Sequence, residues 1–446
     1  SNSNMKIHIL GIGGTFMAGI AIIAKEMGHD VTGSDTNLYD PMKTVLINNK
    51  ISFHENYNSK TLDSNYDLVI VGNVMTRGMD IVEKLLDKKI PFTSGPQWLY
   101  DNVLSKKTVV AISGTHGKTT TSSLVTHILK VSKKNPGFLI GGLPLGSKSP
   151  AKLTKSEYFV IEADEYDTAF FDKRSKYLHY HPNIMLINNI EFDHADIFEN
   201  IEAIIKNFHH VLRTMPRNGK IIYNDDDKNV HSLIDKGIWS KPISFSAKNK
   251  DADWLLKQDK NKYTLINKKY SKNINSSLIG LHNYKNISLA IIACNQLGIS
   301  LSNCVKAVST FKGVKRRMES VGFYKKIHIF DDFAHHPTEI KSSIESLKKN
   351  YRDKKILSIC EVKSSSMISG THKESLEKAL SESHHSIIVK SRLFKWSISK
   401  KNHKIRTIET YDKIKEYIDG NLDKIDIILI MSNKSTVELR DIIKDA

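Results

Sequence analysis

The run Gly114-Thr-His-Gly-Lys-Thr-Thr120 follows the apolar stretch Val109–Ile112 and opens a helical pattern. A phosphate loop requires that context. Gly114 and Gly117 permit close backbone approach to an anion, Lys118 can sit on terminal phosphates, and the Thr119 hydroxyl can reach a divalent cation. Thr115, His116 and Thr120 complete the nucleotide-binding candidates. The ordinary phosphate loop has four residues between its first glycine and Gly-Lys-Ser/Thr, and here Ile112 stands where that glycine belongs. Two acidic clusters accompany the loop. "VIEADEYD" carries Glu162 and "NNIEFDHAD" carries His194, each just past an apolar strand-like run. In open α/β sheets that edge is where ligands bind. If these strands run parallel to the one before the loop, Glu162 and His194 face the same phosphates. Glu162 then suits a hard cation and His194 is an unusual ligand for one.

"GIGGTF", Gly11 to Phe16, also lies between a strand and a helix, where glycines and a helix N-terminus favour anions. Gly11, Gly13 and Gly14 are candidate binding residues. Asp35, next to Ser34, falls where a ribose-binding acid sits in dinucleotide folds. Phe16 replaces the third glycine of G-x-G-x-x-G, which argues against a nicotinamide site. A purely structural turn stays open. "GLHNYKN" places His282, Asn283 and Asn286 at a helix start, where Asn286 could meet an adenine edge and Asn283 could simply cap. Arg316 and Arg317 could clamp a phosphate. Asp331, Asp332, His335 and His336 cluster at a strand end, and no histidine pair has HExxH spacing.

These residues need scaffolds. Three segments alternate short apolar runs with amphipathic stretches, as parallel α/β sheets do, so the fold class is α/β with boundaries near 106 and 314. Strands are predicted at "KIHIL", "HDVTGSD", "YDLVIVGN", "TVVAISG", "EYFVIE", "NIMLI", "GKIIYN", "IHIFDD", "KILSICEV", "HSIIVK" and "DIILIMSN". Met17, Ile20, Ala21, Ala24 and Met27 mark a helix, and residues 246–277 read as a polar stretch. No apolar run approaches the ~20 residues of a membrane span, and no signal peptide is evident. Three scattered cysteines suit small buried hydrophobes in a reducing cytoplasm. The net charge of +18 is spread through polar tracts and forms no basic stripe with interleaved aromatics. A solvated surface that attracts anionic small molecules is therefore expected, with no nucleic-acid or membrane partner.

Taken in order, GIGG, GSD, GTHGKTT, EADE, FDH, GLHNYKN, RR and DDFAHHP resemble the Mur ligase family nearly end to end, and the shortened loop is that family's form. The resemblance implies three domains: a Rossmann-like UDP-substrate domain (1–105), a central P-loop ATPase-type domain (106–313) and a C-terminal Rossmann-like peptide-binding domain (314–446). It implies ATP and Mg2+ as cofactors, with UDP-N-acetylmuramate and the murein tripeptide L-alanyl-γ-D-glutamyl-meso-diaminopimelate as substrates. Addition of L-alanine instead, or a degenerate nucleotide-binding homologue, are the alternatives. In the family the muramoyl carboxylate takes the γ-phosphate of ATP, and an amine then displaces phosphate from the acyl phosphate. Carried over, Lys118, Thr119, Glu162 and His194 are catalytic, and the last three hold the metal. Gly11, Gly13, Gly14, Ser34 and Asp35 hold the UDP part. His282 and Asn286 hold adenine, Arg317 a phosphate, and Asp332 the nucleotide. Two departures fall in the peptide domain: "EVKSSS", with Lys363 where the family has Arg, and "SNKSTVE", Lys434 to Glu438 replacing a glycine-rich run. No carbamylated lysine is assigned at Lys206, His209 or His210.

Overall fold

The computed structural model describes residues 3–36, 38–143, 146–192, 198–361, 370, 372–390, 396–397 and 403–445. Contacts divide the chain into two compact units. One holds residues 1–190, 202–275 and 286–311, and the other holds 191–201, 276–285 and 312–446.

The first unit contains two large sheets. Strands β1 (Lys6–Leu10), β2 (Asp30–Ser34), β3 (Ser52–His54), β4 (Leu68–Val71) and β5 (Phe92–Ser94) form a parallel sheet in the order β3-β2-β1-β4-β5. This order reverses direction between β1 and β4, which opens a crevice at their carboxyl ends. The helix Thr15–Glu26 that follows β1 is buried at Met17, Ile20, Ala21 and Ala24, as its spacing predicts, while Met27, the last residue of that spacing, caps the helix and is half-buried. It is also buried at Ala18, Gly19, Ile22 and Ile23. The added burial has a local cause. A Cβ at Gly19 would stand 3.0 Å from Leu139 and 3.3 Å from Ala151, so the second sheet packs on the helix's other side.

That second sheet has ten strands. They are β6 (Thr108–Ser113), β7 (Gly137–Leu139), β8 (Ala151–Lys152) and β9 (Tyr158–Glu162), then, after a separate hairpin of β10 (Asp167–Ala169) and β11 (Asp172–Ser175), β12 (Ile184–Ile187), β13 (Lys220–Asn224), β14 (Lys241–Ser246), β15 (Trp254–Asp259), β16 (Lys262–Ile266) and β17 (Ser271–Ile274). The order is β17-β16-β15-β14-β13-β12-β6-β9-β7-β8, with β6 parallel to both β9 and β12. The stretch read as polar, 246–277, thus holds three strands, with β16 antiparallel to both neighbours. Trp254, Leu256, Tyr263, Leu265 and Ile274 are buried while residues between them face water, so a half-solvated ribbon hides its apolar face behind a polar composition.

The second unit is built on β18 (Glu319–Tyr324), β19 (Ile327–Asp332), β20 (Ile356–Glu361), β21 (His385–Val389), β22 (Ile405–Ile408) and β23 (Ile427–Ser432), in the order β18-β19-β23-β20-β21-β22. Only the pairing of β18 with β19 is antiparallel, and clusters around Ile344 and Ile430 cover the two faces. Cys294, Cys304 and Cys360 are free and buried. No helix among the described residues is long and apolar enough to cross a membrane.

Candidate active site

Gly114 and Gly117 adopt φ values of +135° and +81°, the left-handed region that glycine tolerates. They turn the chain from β6 into the helix Lys118–Val131. Asn189, just past β12, holds the turn: its carbonyl oxygen accepts from Thr115 N at 2.9 Å and its side-chain oxygen accepts from His116 N at 2.7 Å. Beneath the loop, Asn286 packs so close to Gly117 that a Cβ there would meet its Oδ1 at 2.5 Å. Asn188 Nδ2 donates to that same oxygen at 2.9 Å, and Asn224 donates to Asn188.

Lys118 Nζ lies 3.0 Å from Glu165 and 3.9 Å from Asp164. Burial opposes its charge, but Glu165, Asp164 and Glu162 outweigh burial and hold its pKa above the ordinary lysine value. The lysine is therefore a permanent cation at the start of a helix, where phosphate is favoured. Thr119 Oγ1 is 3.1 Å from both carboxylate oxygens of Glu162, and Gly141 N donates to Glu162 Oε2 at 2.6 Å. A hydroxyl set against a fixed carboxylate is a donor set suited to a hard divalent cation. His194 lies outside the described residues, as does Lys363.

On the other side, β1 ends in Gly11, whose φ is +85°, and the chain enters its helix through Gly14. Asp35 accepts from Gly13 N at 2.7 Å and from the Tyr57 hydroxyl at 3.1 Å, which ties the glycine turn to the end of β2. Ser34 is fully buried, and its hydroxyl lies 2.8 Å from Nε2 of His8 within the sheet. Burial, reinforced by His54, lowers His8 to about 4, so this histidine is neutral near pH 7. The two sheet edges meet at a cavity of about 310 Å3. Gly11, Gly14 and Asp35 line one wall, and Glu162, Asp164 and Lys176 line the other.

Family models match three stretches: the Mur ligase catalytic domain over residues 6–107, the Mur ligase middle domain over 112–294 and the Mur ligase glutamate ligase domain over 316–434. A UDP-N-acetylmuramate–L-alanyl-γ-D-glutamyl-meso-2,6-diaminoheptandioate ligase from Escherichia coli is 41% identical over 89% of this chain and 87% of its own. The protein of that name from Haemophilus influenzae is 39% identical over 96% of both chains. The chain belongs to the Mur ligase family. It is an ATP-dependent ligase with mixed α/β sheets. A solved murein peptide ligase from Psychrobacter arcticus is 36% identical and superposes with a TM-score of 0.79 over 99% of both chains.

In this Mur ligase the expected site residues divide between the units. Gly11, Gly13, Gly14, Ser34, Asp35, the phosphate loop, Glu162 and Asn286 lie in the first, while His282, Arg317 and Asp332 lie in the second. His282 and Asn286 lie one turn apart on a single helix, Leu281–Gln296, and the division between the units falls between them. Asn286 braces the phosphate loop. His282 Nδ1 is 3.3 Å from Ser346 Oγ, and burial lowers its pKa to about 4. Arg317 stacks 5.1 Å from the Phe333 ring centroid. Asp332 accepts from Ala334 N and Ser343 Oγ, and burial raises its pKa to about 6 although Arg317 works against the rise. Asp331 is fully buried against Arg316 and Thr436, a bracing role. Sequence reasoning missed Asp164, Glu165 and Asn189, which lie inside the quoted motifs EADEYD and NNIEFDH. It also missed Gly141, which no motif marks, and Lys176, the last residue of the run EYDTAFFDKRSK (165–176).

Proposed function

We propose that this chain joins the lactyl carboxylate of UDP-N-acetylmuramate to the amino terminus of L-alanyl-γ-D-glutamyl-meso-diaminopimelate, a step in peptidoglycan recycling carried out in the cytoplasm. One observation carries the reaction type. A glycine turn suited to a sugar nucleotide opens on one cavity with Glu162, the carboxylate that the phosphate-loop hydroxyl of Thr119 meets at 3.1 Å. The substrate assignment is supported by the two relatives near 40% identity that bear this name.

ATP would lie on Gly114 to Thr120, with Lys118 on its terminal phosphates. Thr119 and Glu162 would hold Mg2+, which lowers the repulsion between two anionic reactants when bound. A carboxylate oxygen forms a bond to the γ-phosphorus as the bond to the bridging oxygen breaks, releasing ADP. The peptide amine then attacks the carbonyl carbon of the acyl phosphate, loses a proton and expels phosphate. Lys118 would offset the charge that builds on the transferring phosphoryl group.

L-Alanine is the competing acceptor, and one observation keeps it in view. Lys434, in the segment that departs from the family's glycine-rich run, is engaged by Glu361, which also accepts from the Tyr411 hydroxyl at 2.7 Å. Phosphate release from ATP with UDP-N-acetylmuramate, comparing tripeptide with L-alanine, tests the assignment. Tripeptide-dependent release is expected. Release with L-alanine alone would replace the acceptor, and release with neither would refute ligase turnover.

A further inference from the structure

Lys176 is an odd residue to find where it is. It is 8% exposed, it follows β11 directly, and it lines the cavity between the glycine turn and Glu162. Among the described residues its ammonium has no hydrogen-bond acceptor and no carboxylate at ion-pair distance. Its Nζ lies 4.6 Å from the centroid of the Phe16 ring, a cation–π contact. The residue is buried while its ammonium opens on the cavity without a protein acceptor, which leaves it placed to take an anion from a ligand.

The mounting is firm. Lys176 N donates to Tyr166 O at 2.9 Å, and the Ser175 hydroxyl donates to Glu165 O at 2.6 Å. Asn207 donates to both Ser175 and Tyr177. Asn73, past β4, donates to Asp167 O at 3.2 Å, which fastens the hairpin to the first sheet. This lysine, whose charge is coupled to both Asp164 and Lys118, lines the cavity between the glycine turn and Glu162. The diphosphate of a sugar nucleotide has the glycine turn and helix N-terminus to hold it. The sugar's own carboxylate must reach beyond that turn toward Lys118.

We infer that Lys176 binds the carboxylate of the sugar-nucleotide substrate and holds it facing the nucleotide's terminal phosphate. This rests on the proposed substrate. The Phe16 face keeps the ammonium in place when the substrate is absent, through a cation–π contact that the carboxylate then supplements. Burial also lowers the basicity of Lys176, with Asp164 and Asp167 offsetting part of it and Lys118 adding to it, so an arriving anion is strongly favoured.

The test is calorimetric titration of the full chain with UDP-N-acetylmuramate and with UDP-N-acetylglucosamine, which lacks the carboxylate. Lys176→Met should weaken the first roughly 10- to 150-fold, the range of a hydrogen bond to a charged group, and leave the second within about twofold. Lys176→Arg should recover most of the loss. Without ligand, Lys176→Met should melt at or above the wild-type temperature, because it removes an unpaired buried charge. Equal loss for both sugar nucleotides would reassign Lys176 to the diphosphate and overturn the inference. Unchanged affinities, or a melting temperature several degrees lower, would make the lysine structural and also overturn it. A wild-type chain that binds neither ligand would overturn the substrate reading along with this one. Normal wild-type binding with an unchanged variant would overturn this one alone.

Discussion

Gly117→Ala should disable the phosphate loop through a collision that can be relieved from the other side. The backbone at Gly117 has φ +81°, and holding alanine there costs about 1–2 kcal/mol. The new Cβ would lie 2.5 Å from Asn286 Oδ1, nearly 1 Å inside an ordinary contact, so the amide must move. Moving it breaks the 2.9 Å bond from Nδ2 of Asn188, a residue only 9% exposed, and leaves that amide donor without its acceptor. A buried amide left unsatisfied costs about 1–3 kcal/mol. Together these weaken binding of a non-hydrolysable ATP analogue by at least ~30-fold, the equivalent of ~2 kcal/mol. Asn286→Ala removes the obstruction, and it also removes the acceptor of Asn188. The two substitutions therefore share one loss. The double variant should be less impaired than the sum of the singles by about 1–3 kcal/mol in a double-mutant cycle. Calorimetric titration of all four proteins measures this. Strict additivity, or near-normal affinity in Gly117→Ala, would show that Asn286 does not support the loop.

Two further outcomes are expected. Lys118→Ala should lower ATP-dependent turnover by at least ~10²–10³-fold, as loss of one central electrostatic contact does; a near-normal rate would mean the phosphates lie elsewhere. Asp332 keeps its proton up to about pH 6 in the folded chain, while the unfolded chain releases it near 3.8. The folded state thus binds more protons between those values, and this group's contribution to stability falls as pH rises through that window, by about 3 kcal/mol in all. Asp332→Asn lacks this loss, so its stability relative to wild type should grow from pH 4 to pH 7 in denaturant unfolding. A flat difference would refute the buried-acid assignment.

Much of the scaffold was legible because parallel sheets buried on both faces write themselves as apolar runs. "KIHIL", "YDLVIV", "TVVAIS" and "DIILIM" each became a strand with its chemistry at the carboxyl end. The phosphate loop was legible for a similar reason, since glycine, lysine and threonine must follow one another within a single turn. Local spacing could not reveal β15 to β17, whose apolar face is diluted by solvated lysines and asparagines. Nor could it reveal the second face of the helix Thr15–Glu26, buried because Leu139 and Ala151 arrive from another sheet.

The site shows the same division. Sequence alone determined that a glycine turn and a phosphate loop exist, because each is a short-range backbone requirement. Tertiary structure decided that Asn286 sits under Gly117, that Ser34 spends its hydroxyl on His8, and that Lys176 faces the cavity beside Glu162. Those facts depend on which strands become neighbours. A side chain tens of residues away meets its partner only after the sheet order has placed both at one edge.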